Sequence, residues 1–181
     1  MAQTTVSLNR NLSRFELALV VVILGVLVLI FTRRIQRVEA EMERTSVELM
    51  ARQIRNYLTV MKMTALAEGR YAGIARWAGG NPFELMQYKP DDYFGETTRD
   101  TPDKVPPGNW YYDKRDGNLI YKVRRSGYLR TDLAGPARIR FRLDINYQDS
   151  NGNGRYDPDG DRFVGLSFHA LDHYEWVANE K

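Results

Sequence analysis

The chain has no cysteine among its 181 residues and only two histidines. A disulfide framework, a thiolate metal centre and a cysteine nucleophile are therefore excluded, and the redox compartment stays open. There is no glycine-rich phosphate loop and no G-x-S-x-G nucleophile elbow. The two histidines, His169 and His173, flank Asp172 in Ser-Phe-His-Ala-Leu-Asp-His-Tyr-Glu-Trp-Val. A spacing of four would bring both to one side of a helix, as zinc sites use, but this segment reads as strand, turn and strand, with no third ligand. The sequence points to no enzyme.

A broad basic face is also missing. The net charge is +3, but Arg10, Arg14, Arg33, Arg34 and Arg37 against Glu16 already give +4, leaving −1 for everything beyond Arg37. Nucleic acid is not an expected partner. Proline and glycine are both absent from residues 26–68. Nothing in that stretch would break a helix.

What is present is a long hydrophobic run. Leu17 to Phe31 reads Leu-Ala-Leu-Val-Val-Val-Ile-Leu-Gly-Val-Leu-Val-Leu-Ile-Phe without a charge. Extended to 12–32, it reaches the ~20 residues that cross a bilayer as a helix. The following Thr-Arg-Arg-Ile-Gln-Arg-Val-Glu-Ala-Glu-Met-Glu offers no small-x-small site. A cleaved secretory signal is therefore disfavoured against a retained span. Basic residues number two before the span and three after it, so charge counting does not favour a translocated head. Glu16, a carboxylate near the start of the span, is either a functional group or a residue at headgroup depth.

An amphipathic pattern follows over 33–67. Ile35, Val38, Met42, Leu49, Ile54, Tyr57, Leu58, Met61 and Ala65 recur at steps of three and four, with a gap around Ser46 and Gln53. One continuous helix from about Leu12 to Ala67 is predicted. Residues 68–181 read as a globular head, giving an α+β fold with a long helix packed on a small antiparallel sheet. Short helices are expected near Ile74–Ala78 and Pro82–Gln87, the latter capped by Asn81. Strands are expected at Trp110–Tyr112, Leu119–Arg124, Ala137–Asn146, Phe163–Phe168 and Tyr174–Val177. The Asp116-Gly117 pair turns the first hairpin. Arg138, Arg140 and Arg142 alternate with Ile139, Phe141 and Leu143, marking a solvated face with anion binding as a minor alternative.

Residues 149–161 read Asp-Ser-Asn-Gly-Asn-Gly-Arg-Tyr-Asp-Pro-Asp-Gly-Asp. Asp149, Asn151, Asn153, the Arg155 carbonyl and Asp157 follow calcium-loop spacing, with Gly154 at the sharp turn. The glutamate expected at position twelve is replaced by Gly160, and Asp159 or Asp161 would have to substitute. The competing reading is a polar hairpin loop, which favours the same residue types.

The segment Phe15-Glu16-Leu-Ala-Leu-Val-Val-Val-Ile-Leu-Gly25 resembles the N-terminal segment of type IV pilins and type II secretion pseudopilins. In the head, Gly108-Asn-Trp-Tyr-Tyr-Asp113 and Gly117-Asn-Leu-Ile-Tyr-Lys-Val-Arg124 resemble the hairpin of pseudopilin heads. The resemblance implies a short leader over residues 1–11, cut by a prepilin peptidase between Asn11 and Leu12, with methylation of the new terminus. It implies a subunit that is anchored in the bacterial inner membrane with its head in the periplasm. Its partners would be other pilin-like subunits and an inner-membrane assembly platform, in the service of protein secretion or a pilus. Glu16 would neutralise a neighbour's N-terminal amine. Some pseudopilins bind calcium in a head loop. The chain departs from the family pattern at Asn11, where glycine is usual, at Leu12, where phenylalanine is usual, and in lacking a proline in the helix.

Overall fold

The computed structural model describes residues 14–98 and 102–177. Asn11 and Leu12 lie outside them. Two compact units emerge, one up to Glu39 and one from Ala40 onward. Helix α1, Arg14–Ala67, runs through both. It stops where the chemistry demands it. Gly69 adopts a left-handed φ of 69°. The Arg70 N–H reaches back to the Ala65 carbonyl (2.9 Å) and the Gly69 N–H to that of Leu66 (3.3 Å). This pairing satisfies the last carbonyls, and only glycine takes the conformation cheaply.

In the first unit every large apolar side chain from Phe15 to Phe31 is exposed. This helix is long and apolar enough to cross a membrane, by length and composition.

The second unit is built on α1. Ala40, Val47, Ala51, Ile54, Leu58 and Ala65 are its buried residues. Of the stripe read from the sequence, Ile54, Leu58 and Ala65 are buried and Tyr57 and Met61 half-buried, while Met42 and Leu49 are exposed on the other side. Large residues dominate a periodicity count. Near the start of the head the buried face uses Ala40, Val47 and Ala51 instead.

The main sheet has five strands in the order β1-β2-β3-β5-β6. These are β1 Tyr93–Thr97, β2 Asn109–Asp113, β3 Asn118–Lys122, β5 Arg138–Gln148 and β6 Arg162–Ala170. A second sheet pairs β4, Leu129–Thr131, with β7, Tyr174–Trp176. Two expectations are thereby corrected. The main sheet is mixed, because β1 runs parallel to β2. And Tyr174–Trp176 leaves the main sheet, since the Leu171 N–H bonds the Arg140 carbonyl and the chain turns away towards Leu129. A 3-10 turn spans Tyr71–Trp77. Helix α2, Pro82–Leu85, follows, with the Asn81 side chain accepting from the Phe83 N–H at 3.1 Å.

The register puts one face of the sheet on α1. Trp110 pairs with Tyr121, Tyr121 with Ile139, Leu119 with Phe141, and Leu143 with Phe168. These residues form one core with Val47, Ala51, Ile54 and Leu58 of the helix. Phe141 and Phe168 stack at 5.2 Å between ring centres, and Trp110 lies 5.7 Å from Phe141. On the opposite face, Val105, Tyr111 and Ile120 form a small separate cluster.

One polar contact fastens helix to sheet. The Glu43 carboxylate accepts from the Tyr121 hydroxyl (3.0 Å) and from the backbone N–H groups of Arg124 (2.6 Å) and Arg125 (2.9 Å). Burial, and then the Glu43 charge, push the Tyr121 phenol well above its usual range. Removing the carboxylate strands two backbone donors just after β3. Glu43→Ala is expected to destabilise the head by about 2 kcal/mol. The readout is the denaturant midpoint of the full chain in detergent, followed by fluorescence of Trp77, Trp110 and Trp176. An unchanged midpoint would show that water replaces the carboxylate without cost.

Candidate functional site

Three features stand out: the apolar half of α1, the 149–161 loop and the polar residues around β5. In the first, Glu16 sits in the opening turn of α1. Gly25 follows nine residues later, which at ~100° per residue places it on the other side of the helix. The two therefore mark different faces. A side chain at Gly25 would meet nothing within 4 Å. The Thr32 hydroxyl donates to the Val28 carbonyl at 2.8 Å, so its polarity is satisfied within the helix. The chemistry available here is apolar burial on all sides with one carboxylate near the end. Such a surface is stable in lipid or against other helices.

The second feature joins β5 to β6. The two Asp149 oxygens accept from the N–H groups of Gly152 and Gly154, each at 2.7 Å. These bonds, the one from Gly154 foremost, hold the Asp149 carboxyl below its ordinary range. Asn151 accepts from the Asn153 N–H (3.0 Å), and Asn153 from the Arg155 N–H (2.7 Å). Buried Asp161 closes the loop, taking the N–H of Ser150 and of Asp157, each at 2.9 Å. Asp157 accepts from the Asp159 N–H at 3.1 Å. Gly154 has a φ of 72° and supplies the left-handed corner.

The donor set is all oxygen, which suits a hard cation such as calcium rather than zinc. In this arrangement the carboxylates of Asp149 and Asp161 are engaged by backbone N–H groups. Among the described residues no three acidic or histidine side chains are grouped to hold a metal ion.

The third feature is the polar side of β5. Arg140 forms a bidentate pair with Asp172, at 2.7 and 2.5 Å. Arg142 donates to the Asn118 side chain and the Asp116 carbonyl, both at 2.9 Å. Arg138 donates to the carbonyls of Ala134 (2.9 Å) and Pro136 (3.1 Å). These arginines are half-buried rather than fully solvated. They tie the sheet to its surrounding loops, and an anion would have to compete with those bonds. His169 lies in β6, 3.4 Å from Asp144, while His173 lies in the turn before β7 and Asp172 belongs to Arg140. The His-Asp-His constellation is thus divided.

Sequence reasoning missed Glu43 and the Arg140–Asp172 pair. Both join residues far apart in the chain, and no local spacing announces them.

Arg140, through hydrogen bonding and then charge, holds the Asp172 carboxyl below its ordinary 3.8. A depressed carboxyl stabilises the fold above its unfolded pKa, and the contribution is lost as pH falls through the folded value. Asp172→Asn should therefore cost about 1–2 kcal/mol at neutral pH, and progressively less below pH 3.8. His169→Ala should leave the midpoint nearly unchanged at both. Parallel denaturation curves at the two pH values check this, and a pH-independent loss for Asp172→Asn would contradict it.

No protein-family model matches the chain, and comparison with curated proteins and with solved structures gave no match either.

Proposed function

We propose that the chain is a pilin-like structural subunit of a type II secretion pseudopilus or type IV pilus, assembling through its N-terminal helix. The observation that carries this reading is the division of α1. Its residues up to Phe31 leave their apolar side chains uncovered, and its residues from Ala40 carry a folded head. A head on a helix of this kind can wait in a bilayer and then exchange lipid for neighbouring helices at little cost in apolar burial. Glu16, in register with Gly25 as in the family segment the chain resembles, supplies the charge that would meet a neighbour's amine. An unpaired carboxylate in such a core is costly, which is the physical reason for the pairing. The role is structural rather than catalytic. The head would lie in the periplasm, against an inner-membrane assembly platform.

A second reading rests on Asn11. Without cleavage after Asn11 there is no amine at Leu12 for Glu16 to meet. The chain would then be an unprocessed single-span membrane protein whose head binds calcium or a protein partner without polymerising. Intact mass of the protein from its native membrane separates the two. The first predicts loss of residues 1–11, with or without a methyl group on Leu12; a full-length chain that never joins filaments contradicts it. On the first reading Glu16→Val also abolishes filament yield while leaving head fluorescence unchanged.

Calcium belongs to either reading. It would be held by Asp149, Asn151, Asn153, Asp157 and the Arg155 carbonyl, with Asp159 or Asp161 in place of the missing glutamate. Binding to the native state raises the melting point by mass action. Excess calcium should therefore raise it and a chelator reverse it, and Asp149→Ala should remove the response. Identical midpoints with calcium and with chelator would rule the site out.

A further inference from the structure

The outer side of α1 within the head carries an unusual row. Met42, Ser46, Leu49, Gln53, Asn56, Val60, Met63 and Ala67 succeed one another at alternating steps of four and three. All eight are exposed. At ~100° per residue they fall within a stripe about 100° wide. That stripe lies roughly opposite the one buried by the sheet. Met42 is 67% exposed, Leu49 49%, Val60 64% and Met63 60%.

None of the eight is charged, although Glu43, Arg44, Glu48, Arg52, Arg55 and Lys62 lie among them in the sequence. A solvated helix face ordinarily collects charge, and this one excludes it. Alternating four-three spacing is the seam by which one helix lies along another.

We propose that this row seats a second copy of the same chain, with the two helices parallel and in register. Identical helices in register set every residue opposite itself. Any charge in the seam would then face its like, and this row has none. Copies held by the same N-terminal span also leave the bilayer in the same direction, which fixes the parallel sense. In register, Gln53 and Asn56 meet their own counterparts, and an amide can both donate to and accept from another. A polar residue at such a position fixes register at some cost in stability. With polar residues mid-seam, the pair is weak in solution and depends on shared anchorage in the membrane to raise its effective concentration. The inference rests on the membrane-anchored reading above and adds to it a paired state that precedes any filament.

The absence of cysteine makes the test direct. Leu49→Cys, Asn56→Cys, Met63→Cys and the off-row control Arg55→Cys are each introduced into the full chain in membranes and oxidised. The expected result is a disulfide-linked dimer at the three row positions and none at Arg55→Cys. Adding Leu49→Glu to Asn56→Cys should abolish the link by setting two carboxylates face to face. Equal linkage at all four positions, or none at the row positions, overturns the proposal. So do links that form only between different positions when two variants are co-expressed, because they report a staggered or foreign helix. Filament yield is scored separately: filaments without same-position links overturn the pairing alone, and same-position links without filaments overturn only the filament reading.

Discussion

The head depends on burying one face of the sheet against one narrow face of α1. Val47, Ala51, Ile54 and Leu58 are buried against Trp110, Leu119, Tyr121, Ile139 and Phe141. Aliphatic helix residues meet aromatic and aliphatic sheet residues across this contact. Because strand side chains alternate, committing one face of β2, β3 and β5 to the helix fixes the register of each strand at once. The Glu43 contact with Tyr121, Arg124 and Arg125 then holds the chain leaving β3 against the same helix. The loops that carry polar chemistry, including 149–161, hang from strands placed in this way.

Features written in local chemistry were readable from the sequence. Uncharged residues from Leu17 to Phe31 define a helix apolar enough to cross a membrane. Strict alternation defines β5. An Asn-Pro pair defines the start of α2, and an Asp-Gly pair the turn before β3. Features that depend on distant partners were not. Strand β1 holds Gly95 and charged Glu96, has no clean alternation, and exists because β2 offers it an edge. Tyr174–Trp176 looks like one more strand of a meander, and only the position of Leu129–Thr131 reveals a second sheet. The buried face of α1 is legible from Ile54 onward but not in the turns before it, for a related reason. Periodicity shows which residues share a face, but Met42 and Leu49 are more hydrophobic than Ala40 and Ala51. Only the sheet determines which face it covers.

The candidate sites divide along the same line. The loop residues Asp149, Asn151 and Asn153 could be named from spacing, and they do organise one loop, through bonds to its own backbone. The histidines could be named too, but β6 and the turn after it separate them. Arg140 and Asp172 are distant in sequence, and the sheet brings them together. Polar groups that serve the fold and those that serve a ligand look alike in a sequence, and their partners tell them apart.

The central claim is that the uncovered apolar half of α1 is finally covered by copies of itself. Electron cryo-microscopy of filaments assembled from this chain in a reconstituted secretion or pilus system addresses it directly. The account predicts a helical assembly with residues 15–31 packed together along its axis and the heads arrayed outside. A particle in which the same residues stay in lipid or detergent, with no contact between copies, would contradict it.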